Sequence, residues 1–150
     1  MVIELAKLGM EGKRLTGEDP ASVLDLAPSR DIRVAGSVRY DVVAARTGES
    51  VIVKGALAAD LELCCSRCAE PFPFCAQAGD FEAVQEVAPG AESVDLTEAV
   101  RETILLAFPN YPVCRAECKG LCGRCGANLN ESACRCAPTR DARWSALERL

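Results

Sequence analysis

The residues best able to do chemistry in this sequence are its cysteines. There are ten of them and no histidine. Cys65-Ser-Arg-Cys68 stands in mid-chain. Cys114-x3-Cys118-x3-Cys122-x2-Cys125-x8-Cys134-x-Cys136 stands near the end. A Cys-x-x-Cys turn lets two thiolates face one metal ion at about 2.3 Å from each sulfur, and zinc prefers four such ligands in a tetrahedron. In Cys122-Gly-Arg-Cys125-Gly126 the last glycine permits a left-handed backbone. That frees N–H groups to support the sulfur charge. With no histidine to help, the site must be all-sulfur or borrow oxygen. Eight cysteines fill two four-thiolate zinc sites. Cys122, Cys125, Cys134 and Cys136 would make a compact local knot, and Cys65, Cys68, Cys114 and Cys118 a second site tying distant segments together. A single site with the other thiols free is the alternative. Cys64 and Cys75 read as small packed residues, with Cys64 replacing Cys65 if the strand register demands it.

Other chemistry finds less support. The ferredoxin run Cys-x2-Cys-x2-Cys-x3-Cys-Pro is absent, which disfavours an iron–sulfur cluster. Pro71 and Pro73 follow Cys65-x-x-Cys68, where a thioredoxin-like site needs a helix. No histidine offers a general base, the carboxylates are scattered, and no phosphate-binding glycine loop is present. The expectation is a protein that is not an enzyme.

The elements that must position the cysteines are legible in part. "IRVAGSVRYDVVAA", "VIVKGALAADLELC" and "FCAQAGDFEAVQEV" read as three strands of an antiparallel meander. The links between them are short, with Gly55 at a candidate bulge. "MVIELAKL" fits a short strand. "TGEDPASVLDLAPS" reads as a turn-rich connection with one helical turn. "VDLTEAVRETILLAF" is the clearest helix: Asp95 and Glu98 suit a capping box, Leu96, Val100, Ile104 and Ala107 form a stripe, and Pro109 ends it. "TRDARWSALERL" predicts a short terminal helix with Trp144, Leu147 and Leu150 on one side. No internal repeat is apparent. The fold class expected is α+β: an antiparallel β-meander, one principal α-helix and a C-terminal cysteine-rich zinc knot. We expect a single domain over 1–150, with an α+β body at 1–110 and the knot and last helix at 111–150.

Charge divides the chain the same way. Residues 1–110 hold 10 Lys/Arg against 18 Asp/Glu, a net −8, whereas residues 111–150 hold 7 against 4, a net +3. No run of 18 apolar residues occurs, so no membrane partner is expected. The first residues do not resemble a signal peptide. A cytoplasmic location follows, where thiols stay reduced.

"CSRCAEPF", then a helix ending in proline, then "CRAECKGLCGRCGANLNESACRC", then "DARWSALERL" together resemble the bacterial YceD family, whose members are called large ribosomal RNA subunit accumulation proteins. The resemblance implies ribosome biogenesis: processing or accumulation of 23S ribosomal RNA during large-subunit assembly. It implies a ribosomal RNA precursor or assembly intermediate as partner, and supplies no catalytic residues. Zinc knots with interspersed basic side chains contact RNA. Arg115, Lys119, Arg124 and Arg135 are the RNA-binding candidates, with Arg140 and Arg143 just beyond. Asn128 and Asn130 read as turn formers before base readers. The competing reading is an adaptor for ribosomal proteins or a nuclease, with no RNA contact of its own.

Overall fold

The computed structural model describes residues 1–136 except Met10 and Pro28. The expected terminal helix, with Trp144, Leu147, Leu150, Arg140 and Arg143, lies outside the described residues. Among the described residues, six strands and one α-helix follow in chain order: β1 (Val2–Glu4), β2 (Lys13–Asp19), β3 (Ile32–Thr47), β4 (Ser50–Cys64), β5 (Pro71–Glu86), β6 (Ser93–Asp95) and α1 (Thr97–Leu106). One sheet has the order β2-β3-β4-β5, and a small second sheet pairs β1 with β6. Every pairing is antiparallel.

The three expected strands are β3, β4 and β5, but the meander has a fourth member. β2 lies along β3 from Lys13 opposite Ala44 to Asp19 opposite Val38. Its sequence KRLTGED carries one large apolar residue, Leu15, so alternation could not reveal it. An edge strand needs little apolar surface, because only one neighbour pairs with it. β6 is three residues long, and its Val94 and Asp95 fall in the stretch expected to be helix, which starts only at Thr97.

Alternation places the core on one face of the large sheet. Val38, Val42 and Ala44 point inward from β3; Val51, Val53, Leu57, Ala59, Leu61 and Leu63 do so from β4. In β5 the inward set changes phase, from Ala76 and Ala78 to Phe81 and Ala83. The cause is a bulge: Leu57 pairs with Ala78 and Gly55 with Phe81, so β5 spends one residue more than β4 between those points. The extra residue therefore belongs to β5, near Gly79 and Asp80, rather than to Gly55. Leu96, Val100 and Ile104 close the core as expected, together with Leu24. Each such side chain contributes about 1.5–3 kcal/mol on full burial.

The helix entry differs in detail from a capping box. The Thr97 N–H donates to Asp95 Oδ1 at 2.8 Å, but Glu98 pairs with Arg101 at 3.3 Å. The Thr97 hydroxyl and N–H hold the Asp95 carboxyl below the usual carboxylate range. Arg101 Nε also donates to the Leu24 carbonyl at 3.0 Å, pinning α1 over the short helical turn Ala21–Leu24. The chain leaving α1 is thus delivered to the β4–β5 end of the sheet, where Ser66 N–H donates to the Pro112 carbonyl at 2.8 Å.

Gly55 earns its place by closeness of approach. A Cβ there would collide with the Asp41 carbonyl oxygen and stand 2.6 Å from Val42 Cα. Both are backbone atoms of a central strand and cannot yield. Gly55→Ala should therefore cost about 2 kcal/mol or more by overpacking. The check is a lower urea midpoint with an unchanged slope; a midpoint equal to the parent's would refute the account.

Candidate metal centres

Two sets of four sulfurs converge. Cys65, Cys68, Cys114 and Cys118 form the first, and Cys122, Cys125, Cys134 and Cys136 the second; within each set all sulfurs lie inside 4.8 Å of one another. The first set joins the β4–β5 turn to the segment after α1. Leu63 is the last inward residue of β4, so Cys64 faces out and its Sγ lies 3.2 Å from the Ala69 carbonyl. Cys65, one residue on, falls on the inner side at 2% exposure. Cys75 sits half-buried on the outer face of β5, 3.8 Å from an Arg39 amine. Neither Cys64 nor Cys75 joins a cluster.

The spacings suit a tetrahedral ion. Cys65 and Cys118 sulfurs are 3.9 Å apart, Cys68 and Cys114 3.8 Å, Cys122 and Cys134 3.4 Å. A tetrahedron of bonds about 2.3 Å long has sulfurs about 3.8 Å apart at its corners. An all-sulfur donor set is soft, which fits zinc or another thiophilic ion and not magnesium or calcium.

The two Cys-x-x-Cys turns are one local structure made twice. In Cys65-Ser-Arg-Cys68-Ala69-Glu70, the Cys65 N–H donates to the Glu70 carbonyl and the Ala69 N–H to the Cys65 carbonyl, both at 2.9 Å. In Cys122-Gly-Arg-Cys125-Gly126-Ala127, the Cys122 N–H donates to Ala127 at 2.8 Å and the Gly126 N–H to Cys122 at 2.9 Å. The residue after the second cysteine is left-handed in both, with φ +58° at Ala69 and +72° at Gly126. Sequence inspection finds no repeat because the match, Cys-x-Arg-Cys-small, is only five residues long.

Backbone N–H groups aim at the sulfurs, as expected for such turns. Arg67 N–H approaches Cys65 Sγ at 3.5 Å and Cys114 N–H approaches it at 3.4 Å. Burial opposes the Cys65 thiolate, but the N–H groups of Cys114, Cys68 and Arg67 outweigh it and bring the thiol down to about 6. The N–H groups of Cys125 and Arg124, with the Cys134 thiol, bring Cys122 to about 6. One further member of each set goes the opposite way. At Cys68 the Glu70 N–H favours the thiolate, yet burial and the neighbouring thiols push it up to about 12. At Cys136 the thiol of Cys125, burial and the thiol of Cys122 do the same, again to about 12. Thiolates this close repel, so full ionisation of either set calls for a cation among them.

Arg67 is a contributor that sequence reasoning missed. Its Nη1 donates to the carbonyls of Ala116 and Cys118 at 3.1 and 3.2 Å, binding the first turn to the segment that brings the other two sulfurs. Only its place between Cys65 and Cys68 could have flagged it. Arg115, Lys119, Arg124 and Arg135 are all exposed around the clusters. Asn128 acts as the turn former expected, its Oδ1 accepting the Asn130 N–H at 3.0 Å. Asn130 does more: its Oδ1 accepts the Lys119 N–H at 2.8 Å, and its Nδ2 approaches Cys118 Sγ at 3.3 Å.

The fold and the clusters define a class: an antiparallel-sheet protein whose chain continues past its helix into a cysteine-rich end with two four-thiol sets. The chain belongs to the YceD family, whose model, described as "Large ribosomal RNA subunit accumulation protein YceD", matches residues 76–150. An uncharacterised protein of Mycobacterium tuberculosis is 30% identical over 157 residues, covering 95% of this chain and 67% of its own length. An uncharacterised protein of Mycobacterium leprae is 29% identical, covering 85% and 58%. The Arabidopsis thaliana protein named "Large ribosomal RNA subunit accumulation protein YCED homolog 1, chloroplastic" is 33% identical over 57 residues, which is 38% of this chain and 18% of that protein. This chain spans about two thirds of the mycobacterial relative that it matches over most of its own length. No solved structure matches.

The paired turns generate a prediction. A left-handed residue with a Cβ costs about 1–2 kcal/mol, partly offset by the backbone entropy that glycine loses on folding. Ala69→Gly should therefore stabilise the protein by about 0.5–1 kcal/mol, and Gly126→Ala should destabilise it by a similar amount. Thermal melting of both variants checks the pair; shifts of the same sign would contradict it.

Proposed function

We propose that this chain is a non-enzymatic ribosome-biogenesis factor that supports 23S ribosomal RNA processing and accumulation during large-subunit assembly. Zinc in each four-thiol set stabilises its cysteine-rich end. Cys122, Cys125, Cys134 and Cys136 hold one ion, and Cys65, Cys68, Cys114 and Cys118 the other. Zinc is closed-shell and, with four thiolates, closes its coordination sphere. Its part is to neutralise the sulfurs and fix the two turns; the chain's own residues make the contacts. The factor works in the cytoplasm. Among the described residues no helix is long and apolar enough to cross a membrane.

The observation that carries the RNA reading is where basic groups remain accessible. On the outer face of the large sheet they are paired across strands: Arg14 with Asp41 at 2.5 Å, Arg33 with Glu62 at 3.7 Å, Arg39 with Asp60, and Lys54 with Glu82 at 2.9 Å. Around the clusters, no ion pair among the described residues occupies Arg115, Lys119 or Arg135. Each of these, like Arg124, is exposed. The family and the plant relatives' name point to ribosomal RNA. Such contact is electrostatic and weakens with salt. With a net charge of −5, the chain engages few phosphates at once, so a shaped RNA or a partner must add contacts.

Three results test this reading. Protein purified without chelator should carry two equivalents of zinc; less than half an equivalent with all thiols reactive would remove the metal from it. Stripping the zinc should expose the amides of residues 109–136 to exchange while those of β3, β4 and β5 stay protected. Replacing Lys119, Arg124 and Arg135 together by Ala leaves every sulfur in place. That variant should keep its zinc and its fold but lose association with pre-ribosomal RNA, measured by crosslinking and sequencing. Undiminished association would favour the adaptor reading instead, in which the acidic body (net −8 over residues 1–110) receives basic ribosomal proteins or a nuclease.

A further inference from the structure

The two sulfur sets touch through one side chain. Asn130 belongs to the loop of the second set, between Cys125 and Cys134. Its Nδ2 approaches Cys118 Sγ of the first set at 3.3 Å. The same amide is held on its other sides: Oδ1 accepts the Lys119 N–H at 2.8 Å, and Nδ2 also donates to Asn128 Oδ1 at 2.8 Å. Asn128 is fixed in turn, its Nδ2 donating to Glu131 Oε1 at 3.1 Å. Backbone bonds run in parallel. Leu121 and Asn128 form an isolated antiparallel bridge, and the Leu129 N–H donates to the Gly120 carbonyl at 2.9 Å. The Leu121 N–H donates to the carbonyl of Arg67, inside the first Cys-x-x-Cys turn, at 3.0 Å.

The geometry points to Asn130 as a positioning residue that makes the two sets load metal cooperatively, the amide of one loop orienting a sulfur of the other site. This rests on the zinc reading above. The loop from Cys125 to Cys134 is closed when its own four sulfurs share an ion. Only then is Asn130 held where its N–H meets Cys118. A donor to a metal-bound sulfur stabilises the charge that the sulfur keeps and fixes its direction. Groups in such supporting positions change metal affinity by roughly 10–100-fold when removed. Coupling is reciprocal, so an ion in the first set must also strengthen the second. The acceptor role toward Lys119 and the donor role toward Cys118 are carried by different atoms of the same amide, which lets them be separated.

The test uses the full chain and zinc alone, titrated in competition with a chromophoric chelator. Two variants each retain one set: Cys122→Ser/Cys125→Ser keeps the first, and Cys65→Ser/Cys68→Ser keeps the second. The product of the parent's two zinc association constants should exceed the product of the single-set constants by about tenfold. Asn130→Ala should remove most of that excess. Asn130→Asp keeps the oxygen for Lys119 but loses the N–H for both Cys118 and Asn128, and it should remove the excess as well; Asn128→Ala, which removes the loop-holding contacts of Asn128 and leaves the N–H for Cys118, should keep most of it, a result that a purely loop-holding role would not give. In the variant lacking Cys122 and Cys125, Asn130→Ala should then change the first set's affinity by less than twofold. An excess that survives both Asn130 substitutions overturns the coupling, as does a parent product equal to that of the single sets. If the parent takes up no zinc, it is the metal reading itself that falls, and the two failures are told apart.

Discussion

Sulfur geometry is the constraint on which the cysteine-rich end depends. Between residues 109 and 136 only Cys118 and Gly120 are buried. Ordering each residue costs about 1–2 kcal/mol of backbone entropy, and in this stretch almost no apolar burial offsets it. What remains is the convergence of eight sulfurs, the hydrogen bonds of two tight turns, and the Arg67 guanidinium on the carbonyls of Ala116 and Cys118. The α+β body, by contrast, has a continuous apolar core from Met1 to Ile104 and needs no such ties. One protein thus uses two unrelated ways of overcoming chain entropy, and they meet at the β4–β5 turn.

That meeting point is set by strand register. The inward positions of β4 run at every second residue to Leu63, and Cys65 continues them one step past the end of the strand. A slip of one residue would present Cys64 in its place and turn the core side chains outward. Close backbone packing at Gly55 and the bulge in β5 help to fix this register far from the sulfurs they serve. The outer face adds little to stability. Its ion pairs are largely exposed, and such pairs contribute about 0–1 kcal/mol each. They do consume charge on that face, where Arg14, Arg33, Arg39 and Lys54 are each matched by a carboxylate.

Much of this was legible in the sequence, and what was not has a physical reason. The long strands announced themselves through Val38, Val42, Val51 and Val53, and the helix through Val100 and Ile104, because half-buried elements must alternate or repeat. β2 stayed hidden, since an edge strand buries too little to leave a pattern, and β6 falls mostly in the stretch expected to be helix. The bulge was sought at Gly55 because glycine often marks one. Gly55 does flank the register shift, with the extra residue on the partner strand, and it also marks a place where two backbones come close. Grouping the cysteines by spacing anticipated the two sets that the fold brings together. Arg67 was beyond reach, since its partner is 49 residues away and arginine is not a ligand. Asn130 was read as a turn former, but its approach to Cys118, 12 residues away, left no local signal.

The two sulfur sets differ in the length of chain they enclose. The Cys65–Cys118 contact spans 53 residues and the Cys122–Cys134 contact only 12. Closing the longer loop costs about 1.3 kcal/mol more in a flexible chain, and β5 and α1, which lie within it, bring its ends together. The shorter loop can close alone. During refolding, the local knot should therefore form early and independently of the sheet, while the long-range set forms last and reports that the whole body is in place. A local loop and a long-range one thus lie side by side, separated by only three residues between Cys118 and Cys122.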